Sequence, residues 1–431
     1  MNNKEIIKSS QEEKKENIKI QAQKENIKIQ TQKELNNLKK EILQKKIDIS
    51  PKKEKLRQLI IPLSPFLNQE VNEIDLDNLG KTIMWIQEKI EDFLYTKFNI
   101  KDWYINRLLF LLLVTGLSNE LSYNFSIVAH EYSHGKTAKL LWWYNISYGR
   151  DNKKGKKLYQ LFLHGLLNPF SHWYVTNFNY RNNWDISYID WAWLNMQEWI
   201  AETINKENII NSSQTSLSKD ITYLRNKAAP LNYSLFVKDS DKNDISSYIK
   251  ELNKKWISIN KSSLIKYQAL SLLLSWGTIN ALKNMYNFIT TWERENKILN
   301  LTTINGYKVS LPELNTFMNS KNFSVEILEY IYNKTLVYEL WLEKPIIGKG
   351  KLTYTLWINK KTLTWDLYTW KISTNWESSF INLKIRKNLN KKGNSIEIET
   401  RNVIWNKKDW TNRPDKNFWE NSIGISYIIK F

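Results

Sequence analysis

The segment from Ile423 to Phe431, "IGISYIIKF", has the period of a β-strand. Its larger side chains stand at alternate positions: Ile423, Ile425, Tyr427, Ile429 and Phe431. Successive side chains of a strand point to opposite faces, so this alternation places all of them on one face. The segment therefore predicts the last strand of a β-sheet.

The same period extends backwards along the chain to about Val325. Turns rich in Asn, Lys, Ser and Gly, such as Asn359–Lys361 and Lys391–Asn394, separate the apolar runs. The candidate strands are Leu336–Leu342, Leu352–Asn359, Leu363–Ile372, Phe380–Arg386, Ile396–Ile404 and Ile423–Phe431. Together they predict an antiparallel β domain over residues 325–431.

The aromatic residue that ends the last strand resembles the C-terminal signature of outer-membrane β-barrel proteins. That resemblance implies strands that close into a barrel. Six candidate strands are fewer than the eight with which closed membrane barrels begin. A sheet, or a small barrel, packed against the helical part is therefore the expected arrangement.

Before residue 325 the pattern is helical and in places strongly apolar. The stretch Ile105–Ser118, "INRLLFLLLVTGLS", contains one charged residue, Arg107, whereas Leu158–Tyr180 and Tyr267–Leu282 contain none. These stretches predict helices embedded in a bilayer or lying against one, although each falls short of an apolar run of about 20 residues. A soluble helical core is the alternative. The predicted fold class is α+β, with a membrane-embedded helical domain at residues 105–324 followed by the antiparallel β domain.

The N-terminal segment, residues 1–60, is polar and rich in Lys, Glu and Gln. Its nine residues Lys15–Gln23 recur with one change as Lys24–Gln32. A repeat of nine does not maintain the heptad seam of a coiled coil, so a charged arm that is partly helical or disordered is predicted. In residues 61–104 the spacing of apolar residues from Lys81 to Tyr95 predicts an amphipathic helix.

The composition limits the chemistry and the partners. The 431 residues include no cysteine, which excludes disulfides, thiolate metal sites and cysteine nucleophiles. Lys and Arg exceed Asp and Glu by 63 − 44 = 19, which suits an anionic membrane surface or a nucleic acid. The basic residues form no recognisable nucleic-acid reader, so no nucleic acid is expected. Membrane lipid is therefore the expected partner, in the bacterial inner membrane or cell envelope.

Glycine is scarce in this chain and tryptophan is abundant, with 12 and 20 residues of 431. Glycine usually makes up about 7% of a chain. Several tryptophans stand where a turn favours glycine, including Trp142-Trp143, Trp184, Trp276 and Trp365. One hypothesis is that many of them are glycines of an organism that reads UGA as Gly; the alternative is a chain rich in interfacial tryptophan. UGG codons at most of these positions would contradict the recoding hypothesis.

The chemistry-bearing motif is His130-Glu131-Tyr132-Ser133-His134. Histidines four residues apart lie on one face of a helix, so both imidazoles can reach one Zn²⁺. Glu131 then lies beside a zinc-activated water and can accept its proton as the water attacks a carbonyl. The motif therefore predicts a zinc cofactor held by His130 and His134, with Glu131 as the general base.

A catalytic zinc needs a third protein ligand, and the sequence leaves several candidates. His164 and His172 lie in an uncharged stretch close to the motif, and Asp190 and Glu198 follow it. Together with the family resemblances that follow, these positions rank with Asp190 first, His172 second and Glu198 third. The choice stays open at this point.

The His-Glu-x-x-His pattern resembles that of the zincin metallopeptidases. Asp190 followed by a recoded glycine resembles the Asp-Gly that supplies the third ligand in site-two intramembrane proteases, although Asn168-Pro169 lies farther upstream than that family's pattern. Glu198 and Glu202 resemble the glutamate helix of the gluzincins. These likenesses cover His130–His134 firmly and Asp185–Glu202 loosely.

The resemblance implies an enzyme, a membrane-associated zinc peptidase in which metal-activated water attacks a peptide carbonyl. The alternative is a protein of another class, an envelope or outer-membrane-type β protein with a structural metal site and no enzymatic activity.

Overall fold

The computed structural model describes residues 58–62, 73–98, 104–140, 144–149, 160, 175–179, 192–211, 214–238, 243–318, 322–333, 336–348, 352–361, 366–373, 378–389, 394–406 and 422–430. Their helices are α1 (Glu73–Phe98), α2 (Tyr104–Leu140), α3 (Ala192–Asn211), α4 (Leu217–Phe236), α5 (Asp244–Lys254), α6 (Lys261–Leu274) and α7 (Trp276–Thr291).

The strands of the described ranges are β1 (Gln58–Pro62), β2 (Tyr144–Gly149), β3 (Val175–Asn179), β4 (Gln214–Ser216), β5 (Glu295–Lys297), β6 (Thr302–Ile304), β7 (Tyr307–Val309), β8 (Glu313–Met318), β9 (Asn322–Tyr332), β10 (Leu336–Gly348), β11 (Thr353–Lys361), β12 (Asp366–Ser373), β13 (Ser378–Asn388), β14 (Ser395–Asn406) and β15 (Ser422–Lys430). Eleven of them form one sheet, in the order β1-β15-β14-β13-β12-β11-β10-β9-β7-β6, with β8 also paired to β9. Two further pairs, β2–β3 and β4–β5, stand apart.

The large sheet is a meander of antiparallel strands with further pairings at both of its ends. Strand β9 is long enough to pair along one edge with two short strands, with β8 through Glu313↔Leu328 and with β7 through Val309↔Ile331. At the other end β1 pairs with β15, from Gln58↔Lys430 to Pro62↔Ser426. The sheet therefore joins the segment before the helices to the last strand of the chain.

The prediction of a mixed α and β chain with antiparallel strands is confirmed. Each of the six predicted strands overlaps one observed strand, from β10 to β15. The barrel alternative is wrong for the strands that are described, because the sheet is open and its end strands β1 and β6 are not paired to each other. Closure would need these two strands to pair along their length, and β6 spans only three residues.

The chain divides between Lys55 and Leu56, and Leu56–Phe431 form one compact unit. The boundary predicted at residue 60 stays a prediction. The finer boundaries at residues 104 and 324 remain predictions, and the predicted arm lies outside the described residues except for its last three, which begin β1.

Helices α1 to α4 share an apolar core reinforced by buried hydrogen bonds. Gln87 of α1 donates from Nε2 to the carbonyl oxygen of Ser118 (2.9 Å) and to Oγ of Ser122 (2.9 Å), both on α2. The Ser122 hydroxyl lies 2.9 Å from Oγ1 of Thr222 on α4. Because these groups are buried, each bond avoids the cost of an unsatisfied polar atom, and the three helices are fixed in register.

A buried lysine joins the helices to the sheet. Nζ of Lys227 on α4 lies 2.8 Å from Oε2 of Glu198 on α3 and 3.3 Å from Oε1 of Glu313 on β8. It also donates to Oδ1 of Asn315 (2.6 Å) and to the carbonyl oxygen of Leu314. Since the lysine and Glu313 side chains are each 0% exposed, the charges compensate one another away from water.

The uncharged segments predicted to be helical are helical where they are described. Ile105–Ser118 lies in α2, while Tyr267–Leu282 is divided between α6 and α7 at Ser275, whose ψ of 135° is extended. Among the described helices, one passes the length and composition test for crossing a membrane, and its span is Tyr104–Gly135 of α2. The third segment, Leu158–Tyr180, lies outside the described residues except for Gln160 and β3.

Trp256, two residues after the last residue of α5, has a backbone conformation that favours glycine. Its φ is +61°, its N–H bonds to the carbonyl of Asn253 and the N–H of Ile257 bonds to that of Leu252. This pair of bonds is the Schellman motif, in which the residue at the position of Trp256 is usually glycine. The indole is 97% exposed and gains nothing from packing. Glycine would suit this position, whereas Trp276, which the recoding hypothesis also covers, is 1% exposed, and the hypothesis stays a prediction.

We expect Trp256→Gly to raise the free energy of unfolding by about 0.5–1 kcal/mol. The left-handed conformation costs a residue with Cβ about 1–2 kcal/mol, and the larger freedom of glycine in the unfolded chain offsets part of this gain. Urea denaturation followed by circular dichroism measures the change.

The matched control is Trp276→Gly, at another tryptophan in a context that favours glycine. Trp276 is 1% exposed and its indole N–H donates to the carbonyl of Leu299 at 2.8 Å. Removing this side chain should destabilise the fold by roughly 3–5 kcal/mol. Equal changes in the free energy of unfolding of the two variants would contradict the view that the conformation of Trp256 favours glycine.

Candidate metal centre

The His-Glu-x-x-His segment lies in the buried second half of α2. Val128 and Ala129, 2% and 0% exposed, belong to a core that α3 completes with Met196 and Ile200. One turn before His130, Oγ of Ser126 donates to Oε1 of Gln197 on α3 at 2.8 Å. These contacts fix the rotation of α2 about its axis and therefore the side on which the motif stands.

The two histidine rings converge on one point. Nε2 of His130 lies 2.9 Å from Nε2 of His134, and the ring centroids are 4.5 Å apart with the planes at 75°. The helix spacing of four residues produces this approach, as the sequence predicts. At this distance one ring can donate its N–H to the other's nitrogen.

A carboxylate from another helix completes the group. Asp244 is the first residue of α5. One of its carboxylate oxygens and one ring nitrogen each of His130 and His134 all lie within 4.8 Å of one another. Asn243 caps the helix by accepting from the N–H of Ser246 at 2.9 Å. The cap holds the first turn in place, and the helix dipole favours the negative charge of Asp244 there.

Glu131 is buried beside the histidines, with Oε1 3.7 Å from Nε2 of His130. Its side chain is 6% exposed. Burial, and secondarily the neighbouring His134, lower the pKa of His130 well below its usual value. A neutral imidazole is the form that binds a metal, so the site favours the ligand state of His130 at neutral pH.

The donor set fits zinc. Two imidazole nitrogens and one carboxylate oxygen are the ligands that catalytic zinc sites combine with a water. Two nitrogens at about 2.1 Å from a tetrahedral zinc would lie about 3.4 Å apart. The observed separation of 2.9 Å is shorter, so a bound ion requires the two rings to move apart slightly.

The structure places the predicted site residues in different ways. His130, Glu131 and His134 come together, as described above. Glu198 on α3 is not grouped with them: its Oε2 accepts from Lys227 and its Oε1 accepts from the hydroxyl of Thr316 at 2.9 Å. The other candidates for the third ligand, Asp190, His172 and His164, lie outside the described residues.

Asp244 is the site residue that the sequence reading missed. It follows His134 by 110 positions and lies in a polar stretch, "KDSDKNDISSY", where several Asp and Ser residues suit a loop equally well. The available signal was Asn243 as a helix cap before Asp244, which predicts where α5 begins. No local pattern predicts which helix end comes near α2.

Comparison with protein families, with curated proteins and with solved structures found no match to this chain. The residues that bear on function are therefore those of the site itself: two converging histidines, a carboxylate near them and a buried glutamate beside His130.

Proposed function

We propose that this chain is a zinc-dependent peptidase that works at a membrane. The observation that carries the proposal is the convergence of His130, His134 and Asp244, with ligand atoms within 4.8 Å of one another and Glu131 adjacent. Three protein ligands leave the fourth position of a tetrahedral zinc to water, which distinguishes a catalytic site from a structural one.

Each residue has a defined role in the proposed reaction. His130, His134 and Asp244 would hold the ion, which supplies Lewis acidity and an acidified water when it is bound. Glu131 accepts a proton from the water that attacks the peptide carbonyl and then donates it to the leaving amine. Because Glu131 is buried next to His130, its carboxylate is held in place before the substrate arrives.

A membrane location and a protein or peptide substrate complete the proposal. The net charge of +19 attracts anionic lipid, and α2 carries a long apolar segment ahead of the motif. The proposed place is the bacterial inner membrane or cell envelope.

Metal content tests the proposal directly. We expect the purified protein to bind about one zinc per chain, and His130→Ala and His134→Ala to lose it. Elemental analysis after dialysis against a weak chelator measures the ratio. Wild-type protein that retains no zinc, or alanine variants that retain it fully, would contradict the site.

A zinc titration of the metal-free protein identifies the third ligand. We expect Asp244→Asn to weaken zinc binding by at least about 100-fold, because removing a direct ligand costs more than the 10–100-fold loss seen for outer-shell partners. Asp190→Asn and His172→Ala are the matched controls and should bind zinc like wild type. A selective loss in either control would move the third ligand to that residue.

A further inference from the structure

The first four turns of α2 carry an exposed apolar stripe. Its members recur at i, i+1, i+4 and i+5, and their exposed fractions run from 40% at Leu113 and Leu117 to 65% at Tyr104. The leucine stripe comprises Tyr104, Ile105, Leu108, Leu109, Leu112, Leu113 and Leu117. Gly116 is the other exposed residue of these turns, so no polar side chain interrupts the stripe. At 1.5 Å per residue it extends about 20 Å.

A second apolar surface lies on the neighbouring helices. The α6–α7 face comprises Leu270, Leu273, Leu274, Ile279, Leu282 and Tyr286, which are 39% to 67% exposed. Helix α7 packs against α2, because the rings of Phe110 and Phe288 lie 5.4 Å apart and Nη1 of Arg107 donates to the carbonyl of Thr290 at 2.7 Å. Both helices bury their inner sides in one cluster, and both leave an apolar outer side exposed.

Isolated exposed leucines are ordinary, whereas large contiguous apolar surfaces indicate an interaction. Protein interfaces carry about one hydrogen bond for each 100–200 Å². The leucine stripe offers none of the side-chain donors or acceptors that such an interface needs, apart from the hydroxyl of Tyr104 at its end. A hydrocarbon layer needs no such partners, so the stripe matches lipid better than it matches another protein.

The dimensions and charges fit one side of a bilayer. The stripe is about 20 Å long and the hydrocarbon core is about 30 Å thick, so the stripe is too short to cross it. Beyond Leu117, α2 turns its polar Ser118 and Ser122 into the protein core. The exposed tyrosines Tyr104 and Tyr286 suit the headgroup level, and the net charge of +19 favours anionic headgroups.

We propose that the leucine stripe and the α6–α7 face insert together into one leaflet of an anionic bilayer, which makes the chain a monotopic membrane protein. This inference rests on the membrane part of the proposed function and specifies how contact is made. His130 follows Leu117 by 13 residues, about 20 Å along α2, so the metal centre lies outside the inserted turns. The substrate would then be a peptide segment at the membrane surface.

Flotation with vesicles tests the contact. We expect the full chain to bind vesicles of phosphatidylcholine with about a third phosphatidylglycerol, and the double variant Leu109→Lys/Leu113→Lys to bind at least 100-fold more weakly. The matched control, Leu301→Lys/Leu389→Lys, changes leucines of the sheet region that are 63% and 51% exposed. It should bind like wild type. Unchanged binding of the stripe variant would overturn the proposal.

Measuring zinc content alongside vesicle binding distinguishes a failure of the lipid-contact proposal from a failure of the metal-site proposal. The stripe variant should retain its zinc, and His130→Ala should retain vesicle binding. If wild type ignores vesicles and is instead a dimer that the stripe variant dissociates, the surface binds a second copy and the lipid proposal is wrong.

Single cysteines distinguish insertion from crossing, because the chain has no cysteine of its own. Lys97→Cys lies before α2, and Lys254→Cys, at a side chain that is 59% exposed, lies after it. In vesicle-bound protein both should react with an impermeant maleimide added outside. Protection of one alone would mean that α2 crosses the bilayer, and the monotopic arrangement would be overturned.

Discussion

Glu131→Gln is expected to lower peptide cleavage by about 10²–10⁴-fold while the protein keeps its zinc. The amide has nearly the same shape as the carboxylate but cannot accept the proton of the attacking water, and general acid–base catalysis contributes an effect of that size. The measurement is kcat/KM for a peptide identified by mass spectrometry as cleaved from a mixed library in the presence of anionic vesicles.

The matched control for Glu131→Gln is Glu120→Gln, which makes the same change on α2 about three turns earlier. It should cleave the peptide at the wild-type rate. Full activity of Glu131→Gln would remove Glu131 from the proposed role. A wild-type chain that binds zinc through four protein ligands and cleaves nothing would instead support the non-enzymatic alternative with a structural metal.

The second large effect concerns stability. Lys227→Met should lower the free energy of unfolding by roughly 3–5 kcal/mol, because it leaves Glu198 and Glu313 buried without their shared cation. The methionine fills most of the lysine's volume, so the loss reports charge rather than a cavity. Urea denaturation measures the difference in the free energy of unfolding between the variant and wild type. The dependence of that free energy on urea concentration should be the same for both.

Lys254→Met provides the comparison, since Lys254 makes an ion pair of 2.6 Å with Glu251 on the surface of α5. Exposed pairs contribute about 0–1 kcal/mol, so this variant should unfold almost like wild type. A Lys227→Met loss as small as the Lys254→Met loss would mean that the buried carboxylates are neutral or hydrated, contrary to the packing described.

The strands and helices with a clear period were predictable from sequence. The alternation of apolar and polar residues with a period of two is a local property, so β10 to β15 could be predicted. The four-residue spacing of His130 and His134 likewise placed both rings on one face of the helix. Short strands carry too little pattern. Strand β1, "QLIIP", and the three-residue β6 and β7 were missed for that reason. The six candidate strands also omitted β8 and the eleven-residue β9, whose length does not explain the omission.

No local sequence pattern predicts which residues far apart in the chain lie close together in the fold. Asp244 approaches the histidines because α5 begins near α2, and Glu198 is drawn to Lys227 although its spacing with Glu202 matches a ligand helix. Which of several carboxylates reaches a site depends on packing between elements far apart in sequence. The break at Ser275 had a local signal, since Ser275 precedes Trp276 and Gly277, but the uncharged run concealed it.

The pairing of β1 with β15 has a consequence for biosynthesis. Gln58 and Lys430 are partners across 430 − 58 = 372 positions. At a translation speed of about 5–20 residues per second, β1 leaves the ribosome roughly 20–70 s before its partner. During that interval the apolar Leu59-Ile60-Ile61 lacks its partner strand, which leaves it open to pairing with another chain until synthesis finishes.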